Sequence, residues 1–209
     1  VDPSQDGAVA FVERALGELG HRGLLLFPAM HHVGPDDARL EPILALAQAH
    51  EAPVIVHCGV LRIKLRDLFG LPRPFDLSYA NPLRIVPAAN RFPDVRLVVP
   101  HFGGGLFRET LLAGLQCENV LVDTSSSNDW MRSHVGPLSL ARVFRTAVDA
   151  LGHERILFGT DSSVFPRGYN DAVRDAQLSA MREAGVNEDQ MQAILGGNLA
   201  QLLPERSAV

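Results

Sequence analysis

The chain has 209 residues, a formal net charge of −5 and 46% hydrophobic residues, which suits one globular domain with a sizeable core. A negative balance without a basic block argues against nucleic acid and anionic membranes as partners. No apolar run is long enough to span a bilayer, and Cys58 and Cys117 lie in apolar segments as free thiols typical of a reducing cytoplasm.

Hydrophobic periodicity predicts a regular alternation of helices and strands along the chain. The elements, in order, are a helix over 8–19, a strand over 23–27, a helix over 36–50, a strand over 53–59, a helix over 82–91, a strand over 95–104, a helix over 106–116, a strand over 119–123, a helix over 138–151, a strand over 155–162, and helices over 171–184 and 188–203. The turn-rich segment 59–79 is too long for a plain connection and is predicted to be a functional loop or lid.

This alternation predicts an α/β fold in which a parallel sheet is covered by helices. Five strands fit the last five units of a (β/α)8 TIM barrel, which needs eight. We therefore expect residues 1–209 to form a single, partial TIM-barrel domain that supplies strands four to eight of the barrel.

Three of the predicted strands end in residues that bind metal or move protons. The runs VIVHCG, VVPHFGGG and LFGTDS deliver His57, His101 and Asp161. Because parallel strands share one carboxyl edge, where ligands gather, we expect these residues to form one site. Neutral imidazole and carboxylate are common metal ligands. The structural alternatives are buried, hydrogen-bonded histidines and a helix N-cap for Asp161.

Further polar residues lie in the loops that follow the strands and are candidate substrate contacts: His31, His32, Arg108, Ser125, Asn128 and Arg167. Arginine suits bidentate binding of a carboxylate, and hydroxyl or amide groups can hydrogen-bond a polar substrate. Each also has a purely structural interpretation. The two histidines suit a solvated surface pair, Ser125 and Asn128 suit an ordinary polar turn, and the two arginines suit surface salt bridges.

Four runs together carry a family resemblance: VIVHCG, NPLRIVPAANRFPDVRLVVPHFGGG, RILFGTDS and ILGGNLAQLL. They resemble the amidohydrolase-related family, the metal-dependent TIM-barrel hydrolases and decarboxylases of the amidohydrolase superfamily, over about residues 20–203. The resemblance implies that His57 binds a divalent metal, zinc or alternatively manganese. It implies that His101 polarises the substrate or assists the metal site. It also implies that Asp161 binds metal and handles the proton of the attacking water.

The chain departs from the family pattern at two places. The family's first strand carries a His-x-His pair of metal ligands, and no such pair occurs in this sequence. The family's fourth strand often carries Lys or His, where GLLLF is wholly apolar. We therefore expect the chain to lack the first three strands of the barrel and to bind metal weakly.

Three functional hypotheses follow. The first is a metal-dependent hydrolase of a small polar substrate with an amide, lactone or ester-like bond, in which His101 stabilises developing negative charge and Asp161 is the general base. The second is a metal-dependent non-oxidative decarboxylase on the same scaffold. The third is an inactive or partner-binding partial barrel, because an open sheet exposes two edges that favour self-association as a homo-oligomer.

Overall fold

The structure, a computed structural model, describes residues 1–126, 128–162 and 168–203. Its strands are β1 (Leu24–Leu26), β2 (Val54–Val56), β3 (Leu97–Val99), β4 (Val120–Asp123) and β5 (Ile156–Leu157). Its α-helices are α1 (Ala8–Gly17), α2 (Pro28–His31), α3 (Glu41–Ala49), α4 (Lys64–Leu68), α5 (Val86–Arg91), α6 (Phe107–Gln116), α7 (Leu140–Leu151), α8 (Asp171–Ala184), α9 (Glu188–Gln192) and α10 (Asn198–Leu202).

The strands form one parallel sheet in the order β1-β2-β3-β4-β5. The register aligns Leu25 with Ile55 and Ile55 with Val98, so one apolar residue from each of β1, β2 and β3 forms a row across the same face. Since sequential strands are parallel neighbours, all five ends lie along one side of the sheet, which we call the carboxyl edge. The predicted parallel α/β fold with five strands is confirmed.

Each strand is shorter than the apolar run that predicted it. The hydrogen-bonded ladder ends at Val99 and Leu157, whereas the apolar patterns continued to residues 104 and 162. The chain leaves the sheet through left-handed backbone at His101 (φ 59) and Asp161 (φ 51), which an extended strand cannot contain. His101 and Asp161, two of the residues predicted to do chemistry, therefore sit just beyond the sheet in the turn after their strands.

The predicted helices are present, with shifts at their ends. In α1, Val12 and Leu16 are fully buried, but Val9 and Leu19, which the pattern placed on the same face, are exposed. Leu19 lies beyond the helix, because α1 ends at Gly17. The last predicted helix is divided into α9 and α10 by a π-helical turn, Ala193–Gly197.

Helices pack against the outer face of the sheet in two apolar clusters. One cluster joins α1 and α3 to β1, β2 and β3, and the other joins α7, α8 and the π turn to β4 and β5. A smaller cluster on the opposite face contains Val98, Leu121 and Leu157, with Ile55 and Leu202 packed against it. Among the described residues, no helix has the length and apolar character that crossing a bilayer requires.

The segment 59–79 starts and finishes at the carboxyl edge. The Gly59 N–H donates to the Ala80 carbonyl over 3.0 Å, and the Val60 N–H donates to the Gly104 carbonyl over 2.8 Å. Between these points the chain forms α4, which has no buried residue. The segment therefore lies beside His57, where a cover for the site was predicted, and not at the opposite side of the sheet.

Candidate active site at the carboxyl edge

His57 and His101 are in ring contact at the carboxyl edge. Their ring centroids are 5.1 Å apart, in an edge-on arrangement with an interplanar angle of 68°. The His57 N–H donates to the Leu26 carbonyl over 2.9 Å, so this residue extends the ladder between β1 and β2 by one step. Phe27, directly after β1, stacks on His57, with ring centroids 5.4 Å apart. The strand ends thus bring an aromatic row together across three strands.

Close backbone contact between the two histidine turns explains the glycines that follow each of them. A Cβ on Gly59 would collide with the carbonyl oxygens of Gly103 and Gly104. A Cβ on Gly104 would lie 2.8 Å from the Cys58 carbonyl oxygen. Both glycines also have positive φ, +75° and +53°, which favours residues without a Cβ. Glycine at these positions lets the two turns approach closely enough for ring contact.

His57 is held in its neutral form. Only 7% of the residue is exposed, and burial, followed by the neighbouring His101, lowers the pKa of His57 to about 4. Its Nδ1 is buried and makes no hydrogen bond to the described residues. A buried ring nitrogen without a partner is costly unless a ligand, ion or water completes it. His57 is therefore a neutral imidazole suited to bind a ligand or cation.

His101 is bonded to the end of β4 through both backbone and ring. Its N–H donates to Asp123 Oδ1 over 3.1 Å, and its Nδ1 lies 2.7 Å from the Ser125 carbonyl oxygen and 2.9 Å from the Ser125 hydroxyl. The Ser125 hydroxyl donates to Asp123 Oδ1. Burial raises the pKa of Asp123, while hydrogen bonds from Ser125 and the nearby His101 oppose that rise. These contacts fix the position of the His101 ring.

Asp161 follows β5 at the same edge, where it is exposed. It lies between Thr160 and Ser162, whose hydroxyl oxygens are 2.5 Å apart. The structure thus joins His57 to His101 by direct ring contact and gives Asp161 a more open position along the edge. In the described part of the chain, no group of three or more His, Cys, Asp or Glu side chains is arranged to hold a metal ion. The described donors therefore do not fit a complete metal site.

Gln177 of α8 connects the ends of β4 and β5, a role that no sequence pattern indicated. It is fully buried, and its Nε2 donates to the Thr124 and Gly159 carbonyl oxygens, both over 2.9 Å. Its Oε1 accepts a hydrogen bond from the Thr124 hydroxyl. The only signal in the sequence is a polar residue on the inward face of a helix. Gln177 holds together the turns that carry Ser125 and Asp161.

The two histidines after β1 have different surroundings. His31 is half-buried, contacts Phe27 edge-on at 6.4 Å, and has a buried Nδ1 without a hydrogen bond among the described residues. Burial lowers the pKa of His31, although Asp2, 4.0 Å away, opposes that effect. His32 is exposed and its Nε2 contacts the Pro74 carbonyl over 2.7 Å. His31 thus adjoins the aromatic row, whereas His32 contacts segment 59–79.

The other predicted substrate contacts are spread over several loops. Ser125 is buried and bonded to His101, while Arg108 is exposed on α6. Asn128 is half-buried, and its Oδ1 is buried without a partner among the described residues. Arg167 lies outside the described residues. Substrate binding by these side chains stays a prediction.

Buried polar atoms without hydrogen bonds cluster in the loops that follow the strands. Within the described ranges they are His31 Nδ1, His57 Nδ1, Asn128 Oδ1 and Trp130 Nε1. Two follow β1 and β2, and two follow β4, so all lie in segments that leave the carboxyl edge of the sheet. Native proteins leave few such atoms unbonded. They are the atoms at this edge that a polar ligand or water would complete.

The fold matches longer proteins of known structure. An uncharacterised TIM-barrel protein from Bordetella bronchiseptica is 24% identical, with a TM-score of 0.68 over 94% of this chain and 61% of that one. A 5-carboxyvanillate decarboxylase from Sphingomonas paucimobilis is 17% identical, with a TM-score of 0.62 over 97% and 63%. A dihydroxybenzoic acid decarboxylase from a Polaromonas species, with bound manganese and the inhibitor 2-nitroresorcinol, is 19% identical, with a TM-score of 0.63 over 97% and 66%.

The chain spans less than two thirds of each of these proteins, as expected of a partial barrel. At these identities the likeness shows the fold alone. No curated protein matches the sequence. A family model described as amidohydrolase matches residues 1–204, which confirms the resemblance carried by the strand-end motifs. The chain belongs to the amidohydrolase family.

Proposed function

We propose that the complete protein is a metal-dependent hydrolase that cleaves an amide, lactone or ester-like bond in a small polar substrate at the carboxyl edge. The observation that carries this proposal is the contact between neutral, buried His57 and hydrogen-bonded His101, with Asp161 exposed along the same edge. Paired imidazoles and a carboxylate can bind a polar substrate and move protons at the reacting bond. The amidohydrolase family match supports hydrolysis.

The described residues have distinct roles in this proposal. Asp161, exposed at the edge, accepts the proton of the attacking water and returns it to the leaving group. His101 is the second proton-transfer group, and the contacts from Ser125 hold its ring. His57 stays neutral at physiological pH and offers a lone pair at its ring. In this proposal the acid–base groups come from the turns that follow three strands of the carboxyl edge.

A divalent metal, zinc or manganese, is part of the proposal for the complete protein. A bound metal would supply an activated water and polarise the substrate carbonyl. The Polaromonas decarboxylase of similar fold contains manganese, which supports a divalent ion. The described residues offer His57 and Asp161 as ligands but do not form a group of three. No step of the reaction is therefore assigned to the metal.

Non-oxidative decarboxylation is the second candidate function. Two solved structures of similar fold are decarboxylases of aromatic acids, and this likeness favours the same reaction class here. In that reaction His101 or Asp161 would protonate the ring carbon that loses carbon dioxide. Both reactions use the same edge, so the assay must distinguish them by product.

The experiment is a product assay with the purified protein and added zinc or manganese. Small amides, lactones and esters are supplied as one panel, and hydroxylated aromatic acids as the other. Acid release without carbon dioxide supports hydrolysis, whereas carbon dioxide release from the aromatic acids supports decarboxylation. Turnover that is unchanged in both His57→Ala and Asp161→Ala would contradict an active site at the carboxyl edge.

Two further expectations belong to the same proposal. Cys58 and Cys117 are free and buried, which supports a reducing compartment such as the cytoplasm.

Leu65, Leu68 and Phe69, on and after α4, are 59%, 78% and 66% exposed, which supports self-association of the protein. Light scattering of the wild type and Leu68→Asp tests the second expectation. A monomer in both would contradict it.

A further inference from the structure

The hydrogen bonds around His101 determine where its ring proton lies. Nδ1 lies 2.7 Å from the Ser125 carbonyl oxygen and 2.9 Å from the Ser125 hydroxyl oxygen. A carbonyl oxygen can only accept a hydrogen bond. The single Ser125 hydroxyl proton is directed to Asp123 Oδ1, so this oxygen also presents a lone pair to the ring. Both partners of Nδ1 are therefore acceptors.

A ring nitrogen between two acceptors must carry a proton. Without one, three lone pairs would meet at hydrogen-bonding distance and none of the contacts would be favourable. A neutral imidazole has one proton, so a proton on Nδ1 leaves Nε2 with a lone pair. Asp123 completes the arrangement by accepting the His101 backbone N–H over 3.1 Å, which holds a left-handed residue (φ 59) in place.

We propose that Asp123 and Ser125 are positioning residues that hold neutral His101 in its Nδ1–H tautomer, so that Nε2 accepts a proton or a cation. A neutral ring in this tautomer has no N–H at Nε2 with which to stabilise an oxyanion. With its free lone pair, Nε2 is better suited to accept a proton than to protonate a carbon. This chemical use of Nε2 rests on the proposed function, whereas the proton position is measurable without any substrate.

The experiment is nitrogen-15 NMR of the protein labelled at its histidines, treated with a chelator, at about pH 8.5, roughly two units above the ordinary histidine pKa. Multiple-bond correlations distinguish the protonated ring nitrogen from the unprotonated one. The His101 signals among the eight histidines are those missing in His101→Gln. We expect Nδ1–H to exceed Nε2–H by about tenfold or more, the effect of one net hydrogen bond. A predominant Nε2–H form would overturn the proposal.

Two variants and their combination test Asp123 and Ser125 separately. Asp123→Ala frees the Ser125 hydroxyl to donate to Nδ1, so the ratio of Nδ1–H to Nε2–H should fall about tenfold. Ser125→Ala removes that hydroxyl but keeps the backbone carbonyl, so Nδ1–H should persist. The double variant has no competing hydroxyl and should return to the wild-type ratio. A ratio unchanged in Asp123→Ala would show that Asp123 does not position the proton.

These measurements separate the inference from the proposed function. A protein with the expected tautomer but no turnover on either substrate panel would retain the positioning role and lose the catalytic proposal. A protein with turnover but predominant Nε2–H would retain the catalytic site and lose the positioning role.

Discussion

Replacing Gln177 should cause one of the largest losses of stability that a single substitution can produce in this chain. Gln177 is fully buried and makes three hydrogen bonds, to the carbonyl oxygens of Thr124 and Gly159 and from the Thr124 hydroxyl. Methionine has a similar length and flexibility, so Gln177→Met removes these bonds with little change in volume. Each lost bond costs about 1 kcal/mol, and each acceptor left unpaired and buried adds to that cost. The total is about 3 to 5 kcal/mol.

The assay is urea unfolding followed by circular dichroism, which gives the free energy of unfolding from the midpoint and slope. The matched control is Gln48→Met, because Gln48 is exposed on α3 and should change stability by less than about 0.5 kcal/mol. A Gln177→Met loss no larger than that of Gln48→Met would refute the network as a source of stability. The result bears on function as well, because the same bonds hold the turns of Ser125 and Asp161.

The remaining predictions concern pH, backbone contact and metal. His57 has a pKa of about 4 in the folded protein and about 6.5 in the unfolded protein. Above pH 6.5 the ring is neutral in both states, so its burial is tolerated and the stability is fully present. The free energy of unfolding should therefore fall by about 3 kcal/mol from this cause as the pH is lowered from 6.5 to 4. Urea unfolding should show a smaller fall in His57→Gln over the same range. Parallel pH profiles of the two proteins would contradict this prediction. Gly59→Ala should lower the free energy of unfolding by about 2 kcal/mol more than Gly70→Ala. Both glycines have positive φ, but only at Gly59 would the new Cβ collide with backbone oxygens. Equal unfolding midpoints of the two variants would contradict this prediction. Zinc or manganese should bind this chain weakly by calorimetry, since catalytic zinc usually needs three protein ligands; submicromolar affinity would show that the ligand assignment is wrong.

Sequence reasoning located the edge but not the contacts within it. His57 and His101 follow apolar runs, and parallel strands bring such ends together, so their common edge was predictable. Their ring contact depends on close approach of the turns at Gly59 and Gly104, a property of three-dimensional backbone paths. The sequence showed glycines there, without showing which backbone atoms they would face.

The role of Ser125 required the register between β3 and β4. Ser125 was predicted as a substrate contact because it is a hydroxyl after a strand, and the structure bonds it to His101. That contact follows from the alignment of Val99 with Val122, which places the two turns side by side. The sequence pattern also predicted strands that are too long. A residue with left-handed backbone, such as His101, ends the hydrogen-bonded strand although the sequence pattern continues past it.

The most direct test of the carboxyl edge as the active site is the loss of turnover when Asp161 is changed to Asn. The measurement is kcat/KM on whichever panel substrate the wild-type protein turns over fastest, with Asp175→Asn, an exposed position on α8, as the control. A positioned acid–base group contributes about 100-fold to 10,000-fold in rate, so Asp161→Asn should lose at least about 100-fold while Asp175→Asn loses none. Equal kcat/KM for Asp161→Asn and the wild type would contradict the account.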